Sequence, residues 1–289
     1  MANNPALNKF RSTVMAPARP ANPAGPGMGQ APPVGQLEQM YNQPAYGGPT
    51  YPPTGGVPGY GGGGSGGAPS RYMTLDAVVV RFSAMLAVLF TTGAVAWALT
   101  PRSNATPILL IGVMGGLALG LYISFTMKAN AVTSLVYAGF EGLFLGAISR
   151  LFNAQYAGIV VQALTGTVMV AGGVLIAYKV GAIRVTPKFW RVTIAATIGV
   201  FGLMVVNMIA YLFHPGGLGL RDGGTLAIVF SLLCIGIAAM NLVLDFDVIE
   251  QGIKHGADEK LAWYAAFGLM VTLVWLYLEI LRLLGYLRN

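Results

Sequence analysis

Charge is what this sequence has least of. Only 9% of its 289 residues are Asp, Glu, Lys or Arg, where a water-soluble domain carries about 25%. There is one cysteine, Cys234, so no disulfide can form within the chain. The two histidines, His214 and His255, fall in separate loops, and one thiol does not make a metal site. No HExxH helix, Walker loop or buried Gly-Ser-Gly turn is present, which leaves no enzyme signature to follow. The last apolar run has no lysine to hold a retinal Schiff base. The first 70 residues lack an apolar core, so no cleavable signal peptide is expected.

Apolar length is what the chain has instead. Seven runs of near-bilayer length occupy residues 77–99, 107–127, 132–150, 156–178, 190–213, 225–250 and 261–284. About 20 apolar residues in a helix cross a ~30 Å hydrocarbon layer. The expected fold class is therefore all-α: a polytopic membrane protein with seven transmembrane helices in residues 71–289, surrounded by lipid. Pro101, Pro107, Pro187 and Pro215 sit in the gaps, where proline breaks helices. Residues 1–70 hold 13 of the 17 prolines and 15 of the 40 glycines, with tyrosines at 41, 46, 51 and 60. Such a segment cannot bury enough surface to fold alone, so a disordered tail is expected. A docking or condensation segment is the sharper alternative.

The net charge of +7 does not point to nucleic acid, because Lys and Arg flank the apolar runs rather than form one patch. They report topology instead. Arg71, Arg81, Lys128, Lys179, Arg184, Lys188, Arg191, Lys254 and Lys260 lie on the side of the tail. Arg102, Arg150, Arg221, Arg282 and Arg288 lie on the other. A cytoplasmic N-terminus and an outside C-terminus are predicted. Gly112, Gly116 and Gly120, and likewise Gly142 and Gly146, are spaced for close helix contact.

In a chain so poor in charge, an acid within an apolar run is the first candidate for function. Glu141 falls about nine residues into the third run, roughly 13 Å deep. A carboxyl there calls for a partner or a proton, and suits a proton-linked or cation-binding group. Asp245 is the second candidate. Asn241, Ala238, Cys234 and Ser231 share its helix face, a stripe of polar and small residues ending in a carboxylate. Thr193, Thr197 and Asn207 on the fifth run, and Gly268, Thr272 and Glu279 on the seventh, form similar stripes that would together line a polar path. Interhelical hydrogen bonding is the plainer account of the hydroxyls. Asp247 and Glu250, with Asp258 and Glu259, form an acidic mouth able to concentrate cations. Glu279 and Arg282 have the spacing of a helical ion pair. Arg81 is placed to snorkel.

Three segments carry a family resemblance: LVLDFDVIEQGIKHG at 242–256, LYLEILRLLG at 276–285 and YAGFEGLFLGAIS at 137–149. Together with the seven runs they resemble the transmembrane Bax inhibitor motif family (Bax inhibitor-1 / YccA) over about residues 74–289. The tail is extra, as in some actinobacterial members. The resemblance implies helices bundled around a central seventh one, and a pH-sensitive calcium leak. It also implies an aspartate pair, one on the sixth helix and one on the seventh, that shares a proton. Asp245 matches the first aspartate. Thr272 stands where the second is implied, so the pH gate does not carry over whole, and Glu141 is expected to supply the missing titratable group. Lys128 is the nearest counterpart of the family's cytoplasmic basic latch.

The expectation is thus a bacterial inner-membrane protein, not an enzyme, without a cofactor, passing calcium or protons near Asp245 and Glu141. The alternative is a non-conducting regulator that binds a membrane protease or another membrane complex. A small-molecule transporter is weaker, since no inverted repeat is visible.

Overall fold

The computed structural model describes residues 72–101, 105–214 and 216–288; the tail expected over 1–70 lies outside them. The described residues form α1 (Leu75–Leu99), α2 (Thr106–Thr126), α3 (Ala131–Gln155), α4 (Ile159–Lys179), α5 (Pro187–Phe213), α6 (Thr225–Lys254) and α7 (Leu261–Leu287). All seven are long and apolar enough to cross a membrane. The only extended pairing among the described residues is a single bridge, Tyr72 to Asp258.

Local chemistry sets the helix ends. Thr74 accepts a hydrogen bond from the Ala77 N–H at 3.1 Å and starts α1. Asn130 and Thr133 cap each other's backbone at the start of α3. Thr186 caps α5, with Pro187 at its first turn, where the missing N–H costs nothing. Three C-terminal ends run three or more residues past the apolar limits, α7 as far as Leu287. α3 continues from 150 to 155, because Arg150 stays helical with its guanidinium 5.3 Å from the Trp97 ring centroid. The turn that follows needs Gly158 at φ 79°. α6 continues to Lys254, its last turn polar, and ends before Gly256 at φ 63°.

Lipid tails are as apolar as leucine, so burial alone does not draw these helices together; close backbone approach does. α1 and α3 pack most extensively. A side chain at Gly146 would fall on the Gly93 carbonyl, and one at Gly142 on the Thr92 hydroxyl. On α2, a Cβ at Gly112 would lie 2.6 Å from the Phe144 backbone nitrogen. The expected glycine ladders are therefore contact surfaces.

α7 is the most enclosed helix and touches α1, α3, α4 and α6, as expected of a central seventh helix. α2 packs on α3, and α5 on α6, at the periphery. Their outer sides carry large apolar residues, with Phe125 84% and Phe213 79% exposed. Faces of that kind belong in a bilayer. Between α1 and α4, over α7, runs a groove of about 1320 Å³.

The helices alternate in direction, so the starts of α1, α3, α5 and α7 share one end with the finishes of α2, α4 and α6. At this near end, the Met73 N–H donates to the Ala257 carbonyl at 2.7 Å. The loop joining α5 to α6 lies at the far end.

Candidate functional site

Asp245 lies on α6 and Thr272 on α7, each roughly 15 Å from the near end by helix rise. The Thr272 hydroxyl donates to Asp245 Oδ2 at 2.6 Å. Gly268, one turn before Thr272, makes room for the carboxyl, since a Cβ there would lie 3.3 Å from Asp245 Oδ1. Thr272 is buried. Among the described residues, no other hydrogen bond reaches Asp245. A carboxylate has about four acceptor positions, and one is used. The rest take no described hydrogen bond. Thr272, expected where an aspartate would complete a pair, thus occupies that place as a neutral donor.

The stripe continues from Asp245 toward the far end. Asn241 Nδ2 donates to Thr197 Oγ1 of α5 at 2.7 Å and to the Ile237 carbonyl at 2.9 Å. Thr197 and Thr193 return their hydroxyl protons to backbone carbonyls one turn back. Those two threonines therefore hold helices rather than line a surface. Ser231 and Cys234 are fully buried, and Ser231 Oγ finds no partner among the described residues.

Glu141 lies at a similar depth on a different seam. Its Oε1 would be 3.0 Å from a Cβ at Gly116 of α2, and its polar neighbour is the Tyr137 hydroxyl one turn earlier. Tyr137 meets Phe267 of α7 edge-on, with ring centroids 4.8 Å apart. Phe267 immediately precedes Gly268 on α7. No direct contact joins the two acids among the described residues.

The near end is tied together rather than openly acidic. Tyr178 of α4 donates to Glu250 and, at 3.4 Å, to Asp247. Lys254 pairs with Glu250 one turn away. Arg81 pairs with Glu259 at 2.8 Å and sits 5.6 Å from the Trp263 ring centroid. Lys128, the nearest counterpart of a basic latch, is exposed at the α2–α3 turn and joins none of the described ion pairs.

At the far end, Glu279 is 1% exposed and takes two arginines. Arg282 Nη1 donates to Oε1 at 2.8 Å, the pair expected from spacing. Arg221, from the α5–α6 loop, adds two bonds at 2.9 and 3.1 Å. Arg221 also lies 5.3 Å from the Phe230 ring centroid. Sequence spacing gave no sign of Arg221, which is a single cation in a glycine-rich loop. Asn207 holds the same loop, accepting from the Leu218 N–H at 2.9 Å. It is a loop anchor, well removed from Asp245. Both border a pocket of about 200 Å³ with Met204, Leu220 and Arg282.

No three His, Cys, Asp or Glu residues converge among the described residues. What the arrangement offers chemically is one buried carboxyl with a single described donor, Thr272.

The family model described as Bax inhibitor 1 like matches residues 6–289. The chain belongs to this family. No curated protein matches it.

Proposed function

We propose that this member of the Bax inhibitor 1 like family is a pH-modulated cation leak, calcium first, with Asp245 as its principal ion-binding group. One observation carries the reading: a carboxyl deep in a lipid-spanning helix has a single described donor, the Thr272 hydroxyl at 2.6 Å. A membrane-buried acid with so few partners is costly and marks an ion pathway. The seam of Asn241, Cys234 and Ser231 gives the ion its direction. Protons and cations compete for the same oxygens, which makes passage depend on pH without a second aspartate. Glu141, at the same depth but facing α2, tunes the site through Tyr137 and Phe267. The near end is taken as cytoplasmic, from its excess of Lys and Arg, in a bacterial inner membrane with the C-terminus outside.

Calcium and proton flux in liposomes tests this. Asp245→Asn is expected to abolish the pH response and most of the calcium flux, and Glu141→Gln to shift the response. Unchanged flux and pH response in both variants would end the idea.

A second reading is a non-conducting regulator of a membrane protease or another membrane complex. It is favoured by one fact: neither the groove nor the far-end pocket is lined by Asp245, Thr272 or Glu141. The 1–70 tail would then be the contact. Deleting it and losing a partner in pull-down, with flux intact, assigns the tail a separable regulatory role.

A further inference from the structure

The far-end pocket carries a positive charge that the described residues do not balance. Arg221 and Arg282 both bind Glu279, so two guanidinium groups share one carboxylate. Asp222, beside Arg221 in the loop, is exposed and accepts from the Gly224 N–H at 2.9 Å. It joins none of the described ion pairs. One unit of positive charge is left over next to lipid, where an uncompensated charge is costly.

The polar residues that line the pocket are Asn207, Arg221 and Arg282, and the acid between the arginines does not line it. Asn207 Oδ1 already accepts from the Leu218 N–H, which leaves its amide nitrogen as the group without a described partner. Arg282 makes one described hydrogen bond, through Nη1, and a guanidinium has further N–H groups to offer. The pocket therefore presents donors and no free acceptor. The rest of its wall is apolar. At about 200 Å³ it is smaller than the ~300–1,000 Å³ of a drug-sized site, so it suits one compact anionic group.

Depth points to the source of that group. α5 and α7 have 27 residues each, about 40 Å by helix rise. Centred in a ~30 Å hydrocarbon layer, each overshoots it by roughly 5 Å at either end. Asn207 and Arg282 lie roughly 8 Å short of the far helix ends at Phe213 and Leu287. An arginine at that level reaches the lipid phosphates by snorkelling. Met208 also borders the pocket and is 64% exposed on peripheral α5, so this side gives onto the bilayer.

We propose that this pocket binds the phosphate of one phospholipid of single net negative charge, held by Arg282 and Asn207, with the acyl chains passing Met208. The lipid supplies the counter-charge that Glu279 cannot give to both arginines. A zwitterionic lipid would bring an ammonium toward the same arginines and is disfavoured.

The test is native mass spectrometry of the full chain released from vesicles of equal phosphatidylglycerol and phosphatidylethanolamine. The wild type is expected to keep one phosphatidylglycerol. Arg282→Gln removes the unbalanced charge and leaves Arg221 with Glu279. Retention should fall about fivefold, the weight of one basic residue at a membrane surface. Met208→Glu, at an exposed position on the rim, supplies a carboxylate from the chain itself and should lower retention as much. A melting curve in detergent establishes that each variant is folded. If Arg282→Gln unfolds, Met208→Glu carries the decision. Equal retention of both lipids by the wild type, undiminished retention in a folded variant, or displacement of the lipid by added inorganic phosphate would each overturn the proposal.

Discussion

Arg221 and Glu279 are 58 residues apart and meet through two hydrogen bonds, 2.9 and 3.1 Å long, at the far end of the bundle. Glu279 belongs to the central helix and is almost wholly buried, while Arg221 rides on a loop. The pair therefore fixes a connection that has few other holds. Removing one member of a buried pair leaves an uncompensated charge, which costs about 3–5 kcal/mol. Glu279→Gln strands two arginines and is expected to lose stability in that range. Arg221→Gln should lose less, because Arg282 still neutralises Glu279. Unfolding in detergent, read for both single variants and the double, gives the coupling. Equal losses in the two single variants would contradict the asymmetry.

Thr272 should tolerate serine and resist valine. Its hydroxyl is the only described donor to Asp245, and valine keeps the shape while removing the proton. Interhelical hydrogen bonds in membranes average about 0.6 kcal/mol, with a maximum near 1.7. Thr272→Val is expected near the upper figure because the carboxyl is left without a partner, and Thr272→Ser near zero. The same variants separate stability from conduction: a valine variant that keeps its fold but changes the pH response of flux places the effect at Asp245.

Much of this was legible in the sequence, and the reasons are physical. Bilayer length sets helix length, so all seven spans could be placed. The limits failed where the membrane does not set them: α3 runs on past Arg150 because Trp97 supports that guanidinium, and the last turn of α6 is polar. The Asp245–Thr272 contact could be reached because the order of segments in the family fixed the register of α7 against α6. The partner of Glu141 was not legible. Depth says how far a residue lies along a helix, not which way it faces, so the sequence places Glu141 level with Thr272 but does not show that it lies against Gly116. Arg221 was hidden for a related reason: loops carry no periodicity from which a partner can be inferred.

Glycines on α3 and α4 should differ sharply in what they allow. Gly146→Val places atoms on the Gly93 carbonyl and Ala96, both on a helix that cannot retreat without opening the α1–α3 contact. Loss of the monodisperse peak in gel filtration is expected. Gly173→Ala meets nothing within 4 Å. It should be neutral or slightly stabilising, since alanine is favoured over glycine in a helix interior by roughly 1 kcal/mol. A tolerated Gly146→Val would mean that the close α1–α3 approach is not what assembles these helices.

The direction of the bundle in the membrane can be read from one introduced thiol at a time. Cys234 is the chain's sole cysteine and is fully buried, so a Cys234→Ala background should leave the fold intact and the chain without thiols. Lys179→Cys places a thiol at the exposed near end and Arg288→Cys one at the exposed far end. The near end holds Arg81, Lys128, Lys179, Arg184, Lys188, Arg191, Lys254 and Lys260, the far end Arg150, Arg221, Arg282 and Arg288. Of the far-end group, Arg221 and Arg282 are engaged with Glu279, which leaves even less free positive charge to hold that end inside. In intact cells, a membrane-impermeant maleimide is expected to label the Arg288→Cys variant and spare the Lys179→Cys variant, with both labelled after lysis. Labelling of the Lys179→Cys variant alone in intact cells would reverse the orientation, and with it the side from which a cation reaches Asp245.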